Sequence, residues 1–118
     1  MEDGGIVGVG SPQMLLLEQF GHWIWDAFGT PPYLVGSAAR GKIWRDVDVR
    51  LILDDDTYWA LFPHDEQVIH NKKWTLICTG ISLVGKQMTG LPIDFQIQTQ
   101  THANGFYHGK TRVPLGVV

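Results

Sequence analysis

Two short stretches, DVDVRL at 46–51 and IDFQIQ at 93–98, set an apolar residue at every second position and a polar or charged one between. A period of two is that of a β-strand with one face buried and the other open. Val47, Val49 and Leu51 belong to one face of the first, and Asp46, Asp48 and Arg50 to the other. Ile93, Phe95 and Ile97 repeat the pattern against Asp94, Gln96 and Gln98. Any fold for this chain must therefore put both stretches in a sheet with one face covered.

The segments that could cover it have helical spacing. Ser11-Pro12 reads as a helix start, because Ser can cap free amides and Pro suits the first turn. Leu16, Phe20, Trp23, Ile24 and Ala27 then fall on one side, Trp25 and Phe28 widen the stripe, and Gly29 stops the helix at about Phe28. A second helix is expected between 64 and 90 from Trp74, Ile77, Ile81, Val84 and Met88, with Gly90 and Pro92 as its stop. Tyr33-Leu34-Val35 reads as a short strand running into Gly36-Ser37. Asp54-Asp55-Asp56 end the strand at 53, and a short helical turn is expected over Thr57 to Phe62. Residues 1–10 read as a flexible leader, and His102 to Val118 as an irregular or weakly helical tail. The expectation is one α/β (α+β) domain over 11–118, a small mixed sheet with flanking helices.

At 118 residues with 44% hydrophobic content, the chain is the right size for a single core and too apolar for disorder. Its formal charge of −3 argues against a general nucleic-acid coat protein. Cys78 is the one cysteine, so no internal disulfide forms, which fits a reducing cytoplasm. No basic n-region precedes an apolar stretch, and no apolar run reaches the ~20 residues of a membrane span. His64, His70, His102 and His108 lack a zinc spacing, and Cys78 reads as a packed thiol.

The chemistry concentrates in 36–50. Asp46 and Asp48, two apart on a strand, emerge on one face, where like charges this close repel unless a cation lies between them. Asp94 can join them if the two strands are neighbours. Three converging carboxylates would suit Mg²⁺ or Mn²⁺. Gly36 lets backbone approach a phosphate, Ser37 can donate to one, and Arg40, Lys42 and Arg45 can neutralise its charge. Taken singly, each element has an ordinary reading: a turn, a solvated strand face, a basic loop in water. Their order carries the functional one.

That order resembles the DNA polymerase β-like nucleotidyltransferase superfamily in its minimal single-domain form. The resemblance rests on Leu34-Val35-Gly36-Ser37 with Arg40-Gly41, then Asp46-Val47-Asp48-Val49, then Pro92-Ile93-Asp94-Phe95, across about residues 12 to 98. It implies two divalent metals held by Asp46, Asp48 and Asp94, and an NTP held through Gly36 and Ser37, whose nucleoside monophosphate passes to an acceptor hydroxyl on a protein, RNA or small molecule. The eight residues between Ser37 and Asp46 are slightly fewer than the family's usual gap. Aligned without a gap, Asp48 becomes the first ligand and Arg50 stands at the second, which implies a degenerate relative acting by nucleotide binding or protein–protein contact, regulatory or toxin–antitoxin-like. A shortened loop keeps Asp46 and Asp48 as the pair. Larger members carry a further domain, so a second copy or a partner would have to complete the cleft.

Overall fold

The computed structural model describes residues 9–41, 45–63, 71–107 and 111–116. Among these, five helices accompany a four-stranded mixed sheet. In chain order the elements are α1 (Ser11–Phe28), β1 (Tyr33–Val35), α2 (Ser37–Arg40), β2 (Val47–Leu53), α3 (Asp55–Leu61), α4 (Lys72–Thr89), β3 (Ile93–Thr99), α5 (Gln100–Tyr107) and β4 (Val113–Pro114). The strands lie in the order β3-β2-β1-β4, with β2 and β3 parallel and β1 antiparallel to both β2 and β4. The expected mixed α/β class is the observed one. No described helix is long and apolar enough to cross a membrane.

The period of two in the sequence becomes the two faces of the sheet. Val47, Val49, Leu51 and Leu53 of β2 join Ile93, Phe95 and Ile97 of β3 in one core, under Leu17, Phe20 and Ile24 of α1. Phe20 meets Phe95 edge to face, with ring centroids 6.4 Å apart. α4 packs beside α1 closely enough that a methyl on Gly85 would meet the Phe20 ring. On the opposite face, Val35, Ile52 and Ala103 of α5 form a smaller apolar patch, and the polar residues of β2 and β3 lie beyond it.

Helix ends follow their local signals, with one exception. Gly10, not Ser11, caps α1, and no side chain bonds to its first turn; Gly29 at φ 81° ends it after Phe28 as expected. Asp54 accepts from the Thr57 amide and hydroxyl, so α3 opens at Asp55, two residues earlier than the spacing suggested. Asn71 caps α4 through the Trp74 amide.

Three expectations need correction. The buried stripe of α1 is Leu17, Phe20, Gly21 and Ile24, while Trp23 is 61% exposed and Leu16 is exposed as well. The stripe turns because Gly21, with no side chain of its own, is where Leu115 crosses. The leader reading of 1–10 holds no account of Val9, which is buried; residues 1–8 lie outside the described residues. The tail is structural: 100–107 form α5, Val113 pairs with Leu34, and Leu115 is fully buried.

α4 also meets a need that hydrophobic spacing does not reveal. β3 is an edge strand, and its outward groups would invite pairing with another chain. Trp74 Nε1 donates to Ile97 O at 2.8 Å, the Cys78 sulfur lies against the Ile97 backbone, and Ser82 Oγ accepts from Phe95 N–H at 2.9 Å. Residues at i, i+4 and i+8 thus close the edge from one helix side. Burial pushes the Cys78 thiol up to about 11, so it stays protonated and packed at neutral pH. Ser82→Ala removes the partner of a part-buried amide and is expected to lower unfolding stability by about 1–3 kcal/mol, read as a shift in the denaturant midpoint.

Candidate functional site

The parallel register places Asp48 directly beside Asp94, and Arg50 beside Gln96. Residues paired in register point to the same face. Arg50 lies two residues past Asp48, so it reaches that face as well and is 7% exposed. Its guanidinium leans across the gap between strands. One nitrogen donates to the Asp94 carbonyl at 2.6 Å and to the Val49 carbonyl at 3.2 Å. The other lies 3.4 Å from Asp94 Oδ2 and 3.8 Å from Asp48 Oδ1. Asp48, Arg50 and Asp94 therefore form one ionic group.

Gly36 forms the adjoining wall. Its φ of 71° is a conformation that side chains rarely adopt, and a methyl there would fall on Asp48 Oδ2. The glycine expected to let backbone approach a phosphate here lets it approach a carboxylate. Ser37 opens α2, Arg40 is its last residue, and Arg45 and Asp46 follow in an exposed bend leading to β2. Lys42 lies outside the described residues.

The three expected carboxylates are thus not equivalent. Asp48 and Asp94 are brought together; Asp46 stands outside, and its charge reaches Asp48 only as the least of the influences on it. Among the described residues no three His, Cys, Asp or Glu side chains converge where a metal ion could sit. Partial burial pushes the Asp48 carboxyl above its ordinary range. Arg50 opposes that shift, while Asp94 and Asp46 add to it.

The donor set does not fit a hard dication while Arg50 occupies this position. Unit charges at about 4 Å interact by about 4 kcal/mol at an effective dielectric of about 20, and a divalent ion doubles the repulsion from the guanidinium. Mg²⁺ and Mn²⁺ also require several oxygens, and here a permanent cation already holds the two on offer.

Beyond Arg50 the same face continues along β3 to Gln96 and Gln98, under His102 and Phe106 of α5, whose rings stack with centroids 6.2 Å apart. A cleft of about 250 Å³ is lined by Gly36, Asp48, Arg50, Gln96, Gln98 and α5. A neighbouring groove of about 410 Å³ shares Gln96, Gln98 and His102 with it, and Tyr58, Trp59 and Trp74 form its far wall. The glutamines were visible in the sequence as polar strand positions in phase with Asp94; nothing there signalled that three helices would wall them in.

No family model matches the chain, and neither the curated proteins nor the solved structures give a significant match.

Proposed function

We propose that this chain is a catalytically degenerate nucleotidyltransferase-like protein that works by binding a nucleotide rather than by transferring one. The observation that carries the reading is the Arg50 guanidinium set between Asp48 and Asp94. A transferase of this class needs carboxylates open to two dications, one to activate the attacking oxygen and one to hold the leaving pyrophosphate. Here a charge that is never lost at physiological pH neutralises the pair. Arg45, in the exposed bend before β2, is the described basic residue left for the phosphates, and the polar face along β3 serves as the rest of the ligand's bed.

The competing reading, metal-dependent transfer of a nucleoside monophosphate to an acceptor hydroxyl, is favoured by a different observation. Asp48 and Asp94 stand in register on parallel strands beside the Gly36 turn, in the order the resemblance implies. It requires Arg50 to leave when metal and NTP arrive.

Calorimetry with ATP and GTP, with Mg²⁺ or with chelator, separates the two, together with an assay for transfer of label from an α-labelled NTP. The expected result is binding that chelator does not abolish and no transferred label. Arg50→Asp supplies a third carboxylate and is expected to acquire Mn²⁺ binding, visible by electron paramagnetic resonance, that the natural chain lacks. Binding that depends on Mg²⁺, with label moving to an acceptor, would establish the transferase instead.

A further inference from the structure

Gln98 is 9% exposed, and its side-chain oxygen accepts no hydrogen bond from any described residue. Leaving a buried amide oxygen unpartnered costs about 1–3 kcal/mol, and such groups are few in native proteins. This one lies where the cleft and the groove meet, since Gln98 lines both. A leucine or methionine would fill the same strand position without that cost, so the amide marks a place where a donor is to be met.

The surroundings narrow what that donor belongs to. The groove is lined by the aromatic rings of Tyr58, Trp59 and Trp74 and by His102, with no Asp, Glu, Lys or Arg among its described lining residues. A charged amine would lose its hydration there with no counter-charge in return. A neutral planar ring suits the walls, because every heteroaromatic face can stack on an aromatic side chain. A primary amide offers an acceptor and a donor side by side, the pattern that pairs with the amine and N7 of adenine, whereas a base with a carbonyl beside N7 offers two acceptors there. Gln96, on the same face two residues away, lines the groove as well.

We infer that this groove takes adenine, with the Gln98 amide reading its amine and N7 between the aromatic walls. The inference deepens the binding reading above, since it names the base end of the same ligand: the groove shares Gln96, Gln98 and His102 with the cleft of Asp48 and Arg50, so a base held at Gln98 directs its sugar and phosphates toward Gly36.

The test uses nucleosides, which carry no phosphate. Adenosine, cytidine, inosine and uridine are titrated into the intact chain by calorimetry, with quenching of tryptophan fluorescence as a second readout, and ATP is titrated in parallel. Adenosine is expected to bind at least tenfold more tightly than inosine, whose carbonyl and N7 are both acceptors, and more tightly than cytidine and uridine, which lack N7. Gln98→Met is expected to abolish that preference and to raise the melting temperature, because it removes the unpartnered oxygen. Equal binding of adenosine and inosine, or adenosine binding unchanged in the variant, overturns the inference. If ATP binds and adenosine does not, the base groove is wrong and the nucleotide-binding reading stands; if neither binds, both fall. The adenosine-to-inosine ratio is read in the natural chain, so a variant that fails to fold leaves the test intact.

Discussion

Replacing Arg50 with alanine is expected to lower unfolding stability at pH 7.5 by about 2 kcal/mol, and the loss is expected to shrink as the pH falls. Removing one partner of a fully buried ion pair costs about 3–5 kcal/mol, because a charge is left in low dielectric with nothing opposite it. The figure here is set lower because the Asp48 and Asp94 side chains are 28% and 43% exposed, and water screens part of their repulsion. The pH dependence follows from the sign of the Asp48 shift. Burial raises that carboxyl above its unfolded value and Arg50 holds it down, so without Arg50 it rises further. An acid whose folded pKa is raised binds more protons folded than unfolded, and its stability contribution is lost as pH rises through the shifted value. The variant should therefore approach the natural chain at pH near and below the ordinary carboxylate range and fall away from it above. Chemical denaturation at several pH values measures this. A loss independent of pH would mean that Arg50 acts through packing and its bonds to the Asp94 and Val49 carbonyls.

If the loss follows that course, millimolar Mn²⁺ should restore part of it, since a dication can then take the place between the carboxylates. Stability and metal affinity would move in opposite directions at one residue, which separates an ionic role for Arg50 from a merely space-filling one.

Much of the fold lay open in the sequence because it rests on short-range regularity. The alternation in 46–51 and 93–98 gave β2 and β3, and Gly29 and Gly90 gave two helix ends. Register was partly legible too: Asp48 and Asp94 occupy the polar positions of two strands with apolar neighbours, and parallel pairing sets them side by side. What stayed hidden depends on contacts between distant segments. Nothing local to Ser82 announces that its hydroxyl closes the edge of β3. The helical period of 11–28 is compatible with several neighbouring stripes, and the choice of Leu17 over Leu16 was made by a crossing segment from the far end of the chain. The site divided in the same way. Its charged residues were legible from spacing, but the position of Arg50 between two carboxylates follows only from the pairing of β2 with β3.

That crossing segment makes the second large effect, at Leu115. β4 is only Val113–Pro114, too short to hold itself to β1, so the residues after it must do so. Leu115 donates its amide to Pro32 O at 2.9 Å and is completely buried in the main core. Gly116, at φ 86°, donates to Glu18 Oε1 at 2.5 Å and lies 3.1 Å through its carbonyl from His22 Nδ1. Gly21 of α1 allows this crossing, since a methyl there would collide with the Leu115 side chain and backbone. Leu115→Ala is expected to cost about 2–5 kcal/mol, the usual range for emptying a fully buried leucine site. Gly21→Ala should cost a comparable amount by the opposite route, overpacking against backbone that cannot rotate away. The double variant decides whether these are one contact: with the leucine side chain cut back to a methyl, less is left to collide with, so the combined loss should be less than the sum of the two. Strict additivity, measured by denaturant unfolding, would mean that Gly21 and Leu115 do not act as one contact. The segment that reads as a loose tail would then be held to the rest through β4, Pro32 and the bonds of Gly116 to Glu18 and His22.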